Sequence, residues 1–123
     1  LFDLFDFNEI QTLSLMDLEF CVQCVLVSTG KIFGVAEDET RANHGHRECE
    51  QLVFVQQGSI GALTINQLGE REEWSLETGD WLNIPPRHWL QLNNFAAGTV
   101  LGVLASLPYD RAEYIDNPEE LSN

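Results

Sequence analysis

The sequence predicts an all-β domain that closes into a small barrel or sandwich. From Phe20 onwards, apolar and polar residues alternate and β-branched residues cluster, which is typical of short strands. Turn signals such as Gln57-Gly58, Thr78-Gly79-Asp80 and Pro85-Pro86 separate these stretches. No segment after Phe20 has the pattern of a long amphipathic helix. Many short strands at close spacing favour a closed all-β architecture.

Nine strands are predicted, in the order in which the alternating stretches occur. Their ranges are Phe20–Ser28, Lys31–Ala36, Asn43–Arg47, Leu52–Gln57, Ile60–Gln67, Arg71–Ser75, Trp81–Ile84, His88–Leu92 and Val100–Leu104. A turn at Thr29-Gly30 is predicted to separate the first two. The 123 residues fit one domain. We expect an N-terminal segment (1–19) with an outer strand at Leu1–Phe7, the barrel (20–107), and a C-terminal tail with a short helix (108–123).

The charge of the chain excludes several classes of partner. Twenty acidic and six basic side chains give a formal net charge of -14. This charge repels nucleic acids and anionic membrane surfaces, although a few placed arginines can still bind a small anion. The longest apolar runs are far too short to span a bilayer. Three cysteines, an odd number, fit a reducing compartment, so we expect a cytoplasmic protein.

The first candidate for chemistry is the pair His44 and His46. Residues two apart on a strand face the same side, so both imidazoles would reach one surface. Imidazoles titrate near neutral pH and can serve as base and acid. They are equally suitable as ligands of zinc, iron or manganese. Two surface histidines on an edge strand would show the same pattern.

The spacing around this pair resembles the two motifs of the cupins, which are jelly-roll barrels, also called double-stranded β-helices. The matching residues are His44, His46, Glu50 and Gly58 in the first motif and Gly79, Pro85 and Asn94 in the second. The metal-ligating histidine of the second motif falls at Leu90, which cannot bind a metal, and Arg87 replaces its glycine. His88 lies two residues away, so an alternative metal site would use His44, His46, Glu50 and His88.

Three ordered blocks resemble the dTDP-4-keto-6-deoxyglucose 3,4-ketoisomerases, the WxcM-like family of the RmlC-like cupins. The first is Arg41-Ala42-Asn43-His44-Gly45-His46 followed by Gln51, against the family's Arg-Gly-x-His-Ala-His and Gln. The second is Pro86, Trp89 and Phe95. The third is Leu104-Ala105-Ser106-Leu107-Pro108-Tyr109-Asp110 followed by Glu113-Tyr114-Ile115. The match covers about the C-terminal two-thirds of the chain.

The resemblance implies a homodimeric isomerase that uses neither a metal nor another cofactor and acts on a nucleotide-linked keto sugar. His44 and His46 would be catalytic, one of them removing a proton from the carbon beside the ketone. The residues implied in substrate binding are Arg41, Gln51, Arg87, Trp89 and Tyr109.

The chain also departs from the family. It lacks the family's Asp-x-Arg-Gly-x-Leu segment and the catalytic tyrosine upstream of the histidines, because its only tyrosines are Tyr109 and Tyr114. Tyr109 or a residue of a partner subunit could replace the missing group. Two other functions therefore stay open: a cupin that binds a sugar or nucleotide sugar without turnover, and a metal-dependent cupin enzyme.

Overall fold

The structure, a computed structural model, describes residues 28–108 and 110–122. The predicted outer strand Leu1–Phe7 and nearly all of the predicted strand Phe20–Ser28 lie outside these residues, as does Tyr109. Everything below concerns the described part of the chain.

The described residues form nine strands and two single 3₁₀ turns. The strands are β1 (Ser28–Phe33), β2 (Arg41–His46), β3 (Gln51–Gln57), β4 (Ser59–Ile65), β5 (Arg71–Glu77), β6 (Trp81–Ile84), β7 (Trp89–Asn93), β8 (Val100–Ala105) and β9 (Tyr114–Ile115). The 3₁₀ turns are Arg111–Glu113 and Pro118–Glu120. Within the described residues, no helix is long and apolar enough to cross a membrane. The all-β prediction is confirmed.

The strands form two antiparallel sheets. One has the order β1-β8-β3-β6 and the other the order β5-β4-β7-β2-β9. Most neighbours within a sheet are distant in sequence, as in a jelly roll, where the chain passes repeatedly from one sheet to the other. Among the nine described strands, only β4 and β5 are consecutive and pair as a hairpin.

The main core lies between the two sheets and follows from the alternation of side chains along each strand. On β4, for example, Ile60 and Ala62 are buried while Gly61 between them is only partly covered. The buried members of this core are Val53, Val55, Ile60, Ala62, Leu76, Leu82, Ile84, Leu90, Leu92, Phe95 and Leu101. Because facing strands present apolar side chains at every second position, the two sheets close over one continuous apolar layer.

A second, smaller apolar cluster lies on the other face of the five-stranded sheet. It consists of Ile65, Ile115 and Leu121, with Trp89 packed against them. Ile115 and Leu121 are 0% and 1% exposed. Much of the region expected to be a tail therefore packs on the barrel, and the short helix expected there is present only as the two 3₁₀ turns.

The predicted turn at Thr29-Gly30 is wrong. The backbone runs straight through it as β1, which pairs residue by residue with β8 from Ser28 opposite Ala105 to Phe33 opposite Val100. Pairing with a neighbouring strand outweighs the local turn preference of a glycine, which β1 tolerates at the end of the four-stranded sheet formed by the described residues. The strand ends three residues earlier than predicted, where Gly34 adopts a φ of +70°.

We predict that Gly58→Ala lowers the free energy of unfolding by about 2–4 kcal/mol. Gly58 connects β3 to β4 at a φ of +95°, and a Cβ there would lie 2.8 Å from the Cα of Thr99 and closer still to its hydroxyl. Gly79→Ala is the matched control, because its φ is +92° with no atom within 4 Å of the added carbon. In the control, only the backbone strain of alanine at a positive φ should lower the free energy of unfolding, by about 1–2 kcal/mol. Equal losses for both variants in urea unfolding would contradict the steric explanation.

Candidate active site

A β-bulge in β2 turns the two histidines towards the interior of the barrel. Arg41 and Ala42 pair with Leu92 and Gln91 of β7, but beyond the bulge His44 pairs with Leu90. In the register of the first two pairs, His44 would instead lie opposite Trp89. Cross-strand partners share a face and Leu90 belongs to the core, so the one-residue shift places His44 inside. His46, two residues further, faces the same way and is 6% exposed.

The two imidazoles form a compact triangle with the ring of Tyr114. Tyr114 lies on β9 directly opposite His46. The His44 and Tyr114 rings are stacked, with centroids 4.4 Å apart and planes at 24°. His46 meets His44 edge-on at 4.9 Å and 84°, and meets Tyr114 at 4.7 Å and 70°. Each ring therefore contacts the other two.

A backbone hydrogen bond defines the tautomer of His44. Its Nδ1 lies 2.9 Å from the carbonyl oxygen of Ala42. A carbonyl can only accept, so Nδ1 carries the proton and donates it. In the neutral ring the lone pair then resides on Nε2, which can act as a base. The bulge thus both orients His44 and selects its basic nitrogen.

The surroundings keep both imidazoles neutral at physiological pH. Burial lowers the pKa of His44, although the bond to Ala42 and the charge of Asp116 oppose this, and Arg111 contributes further lowering. The pKa of His46 is lowered to about 4, first by burial and then by repulsion from His44, against an opposing effect of Glu113. Neutral rings can accept a proton from a carbon acid or donate a hydrogen bond.

The C-terminal segment fastens the connection that follows His46. The carboxylate of Glu113 accepts the backbone N–H groups of Glu48 and Cys49 at 2.7 and 2.9 Å. The backbone N–H of Arg47 donates to the carbonyl of Glu113 at 3.0 Å. These bonds hold the end of β2 against the segment that carries Tyr114.

Gln51 shares a recess with the histidine site. It opens β3, opposite Ile84 and Ala105, and so points between the sheets. The recess has a volume of about 70 Å³, and its lining residues include His46, Cys49, Gln51, Asp110, Glu113 and Tyr114. Small-molecule pockets usually enclose about 300–1,000 Å³, so this recess can hold only part of a nucleotide sugar.

Of the other residues predicted to bind substrate, Trp89 and Arg41 point away from the histidines, and Arg87 contacts His46 through its backbone. Trp89 faces the outer cluster, because the alternation along β7 places its neighbour Leu90 in the core. The Arg41 guanidinium contacts Glu39 at 2.8 Å and the carbonyl of Thr40 at 2.9 Å. Arg87 touches the site through its backbone N–H, which donates to the carbonyl of His46 at 2.7 Å. Tyr109 lies outside the described residues.

The four residues of the alternative metal site do not converge. Across residues 28–108 and 110–122, no three His, Cys, Asp or Glu side chains are grouped so that they could hold a metal ion. Glu50 is buried beside Ser106, whose hydroxyl accepts its backbone N–H at 2.8 Å. The Nδ1 of His88 lies 3.1 Å from the carbonyl of Pro86, within its own turn. Leu90 occupies the position opposite His44.

Tyr114 is the site residue that the sequence did not single out. The sequence pointed to Tyr109 as the group that could replace the missing tyrosine. The only signal for Tyr114 was its place in the third block of the family resemblance. Its role depends on β9 pairing with a strand almost 70 residues earlier, which no local pattern encodes.

Comparison with known protein families identifies the family of this chain. The sequence model of the family described as "FdtA: WxcM-like, C-terminal" matches residues 9–123. The chain belongs to the WxcM-like family. This confirms the resemblance found in the three sequence blocks.

Known relatives of this WxcM-like chain are sugar ketoisomerases. The TDP-4-oxo-6-deoxy-alpha-D-glucose-3,4-oxoisomerase of Aneurinibacillus thermoaerophilus is 29% identical over 85 residues, which cover 68% of this chain and 60% of that enzyme. The alignment thus spans less than two-thirds of the relative.

Solved structures of similar proteins confirm the predicted cupin fold. A mutant of the 3,4-ketoisomerase QdtA from Thermoanaerobacterium thermosaccharolyticum, in complex with TDP-4-keto-6-deoxyglucose, superposes with a TM-score of 0.73 and 28% identity over 79% of this chain and 70% of its own. The TDP-quinovose 3,4-ketoisomerase WlaRB from Campylobacter jejuni gives 0.71 and 31% over 77% and 73%.

We predict that His46 makes the WxcM-like domain sensitive to acid. Its pKa is about 4 in the folded protein, against an ordinary value of 6.5. Between these values the unfolded chain binds a proton that the folded protein does not, so the free energy of unfolding falls as the pH drops from 6.5 towards 4. Urea unfolding near neutral pH and near pH 5 should show a smaller loss for His46→Gln than for the wild type. Identical losses would show that His46 is not protected from protonation.

Proposed function

We propose that this protein is a 3,4-ketoisomerase that moves the keto group of a TDP-4-keto-6-deoxy sugar by proton transfer at His44 and His46. The observation that carries the proposal is the pair of neutral imidazoles, facing the interior of a barrel shared with enzymes named for this reaction. Similarity to relatives named for TDP-sugars supports the substrate class.

The reaction requires one proton to leave carbon and another to return. A base removes the proton from C3, beside the C4 ketone, and the electrons of that C–H bond form a C3–C4 double bond. The electrons of the carbonyl π bond move to O4, which takes up a proton, giving an enediol. Protonation at C4, with loss of the hydroxyl proton from O3, then leaves the ketone at C3. Substrate and product are isomers, so the chemistry needs neither an oxidant nor a reductant. Positioned acid and base groups contribute about 10²–10⁴-fold to such steps.

The geometry supports different roles for the two histidines. The Nδ1 of His44 is engaged with the carbonyl of Ala42, which leaves Nε2 free to take the proton from carbon. Burial and the neighbouring His44 lower the pKa of His46 to about 4, which makes His46 a weak base. A neutral His46 can instead donate a hydrogen bond to the substrate oxygen on which negative charge develops.

We also propose which residues bind the rest of the substrate. Gln51 supplies an amide in the recess beside His46, where it can contact a sugar hydroxyl. The roles of Arg41, Arg87 and Tyr109 in binding the nucleotide stay predictions, as do the homodimer and the cytoplasmic location. On a chain of net charge -14, the pyrophosphate must be attracted by a few local arginines.

We predict that His44→Gln and His46→Gln each lower turnover of TDP-4-keto-6-deoxyglucose by about 10²-fold or more. Purified protein would be incubated with this sugar nucleotide in D₂O and followed by NMR. The wild type should introduce deuterium next to the ketone and form the 3-keto isomer. Both variants should retain the folded spectrum, because glutamine fills a similar volume.

His88→Gln is the matched control, because His88 is the third histidine of the chain and its Nδ1 faces the carbonyl of Pro86. It should retain turnover within about threefold. Equal loss in all three variants, with stoichiometric metal in the purified protein, would favour the metal-dependent alternative. Ligand-induced shifts without exchange in the wild type would show a binding protein rather than an isomerase.

A further inference from the structure

We propose that Tyr114 is a positioning residue whose aromatic ring fixes the mutual orientation of His44 and His46. The proposal rests on the function proposed above, because orientation matters only if these imidazoles transfer protons. It assigns a role to a residue of the C-terminal segment, about 70 positions from the histidines in sequence.

The contacts of the Tyr114 ring are suited to this role. One face stacks on His44 at 4.4 Å, and the ring meets His46 at 4.7 Å. With the histidines 4.9 Å apart, the three centroids form a nearly equilateral triangle. Rotation of either imidazole away from this arrangement would break a ring contact, and stacked or edge-to-face aromatic pairs are the preferred geometries. These contacts come from the ring, so a phenylalanine could make them too.

Tyr114 is itself held from two sides. Its backbone N–H donates to the carbonyl of Arg111, closing the 3₁₀ turn before β9. The guanidinium of Arg111 lies 5.2 Å from the ring centroid and is paired with Asp116 at 2.6 Å. A guanidinium at this distance from an aromatic ring is attracted by its π electrons.

The next residue anchors the strand on the opposite face. Ile115 is 0% exposed and packs in the outer cluster with Ile65 and Leu121. Because side chains alternate across a strand, burial of Ile115 outside the sheet directs Tyr114 inside. Packing of Ile115 in the outer cluster thus fixes the position of β9, and with it the position of the Tyr114 ring beside the histidines.

The test compares Tyr114→Phe, which keeps the ring, with Tyr114→Leu and Tyr114→Met, which remove it and differ in flexibility. Long-range ¹H–¹⁵N NMR would report the tautomer and pKa of each histidine without requiring activity. Turnover of TDP-4-keto-6-deoxyglucose would be measured on the same samples, and circular dichroism would verify folding.

Tyr114→Phe should preserve the Nδ1–H tautomer of His44 and keep kcat within about threefold of the wild type. Without the ring, the His44 imidazole should rotate away from the carbonyl of Ala42, so Tyr114→Leu and Tyr114→Met should mix its tautomers. Both variants should lower kcat by about 10²-fold, with KM changed by less than about threefold, as expected for misplaced reacting groups. A leucine or methionine covers the two imidazoles less than the tyrosine ring does, so the pKa values of both histidines should rise towards the ordinary value. These two values are also shaped by Arg111 and Asp116 at His44 and by Glu113 at His46.

Two results would overturn the proposal. The first is an unchanged His44 tautomer and kcat in a folded Leu or Met variant, which would show that the Tyr114 ring does not orient the histidines. The second is a loss in Tyr114→Phe as large as in the other two, which would assign the hydroxyl to the chemistry. A wild type without turnover, whose histidine spectra still respond to loss of the ring, would refute the proposed function while leaving the positioning intact.

Discussion

The β-bulge at Ala42 and Asn43 decides which residues of β2 face the interior, because side chains alternate strictly across a strand. Both residues adopt left-handed backbone conformations, with φ of 68° and 56°. Such conformations cost non-glycine residues about 1–2 kcal/mol each. Asn43 is a residue type that tolerates them, and its side chain is bonded to Thr40 and Gln91 at 3.0 Å each. The carbonyl that orients His44 belongs to the strained Ala42, so the backbone strain is located at the site itself.

One consequence of this register is that the two faces of β2 have separate roles. Gly45, between the histidines, points to the outer face, where an added Cβ would lie 2.7 Å from the carbonyl of His88 and 3.2 Å from Leu121. The absence of a side chain lets the C-terminal segment pack closely there. That packing places β9 beside β2 and brings Tyr114 to the inner face.

Features that depend on residues close together in sequence could be predicted from the sequence, whereas features that depend on pairing between distant segments could not. Eight of the nine predicted strands share three or more residues with a described strand, because period-two alternation and turn residues are local signals. The ninth, Phe20–Ser28, shares only Ser28 with β1. The histidine pair and its common face were also predictable from their spacing. The bulge, β9 and the outward orientation of Trp89 were not, since each depends on pairing between distant strands. The same limit explains Thr29-Gly30: its glycine suggests a turn, while the partner strand β8 lies some 70 residues away.

The electrostatics of the site allow the histidine pair to hold one proton but oppose a second. In so acidic a chain, nearby carboxylates such as Asp116 and Glu113 raise the pKa of the imidazoles, yet burial outweighs them and both pKa values are lowered. Two protonated rings with centroids 4.9 Å apart would repel by about 3 kcal/mol at an effective dielectric constant of about 20. Protonation of His44 therefore makes protonation of His46 harder. The pair therefore accepts one proton but resists a second. This property suits an isomerisation in which a proton is removed from one carbon and a proton is then delivered to the neighbouring carbon, before the next substrate is deprotonated.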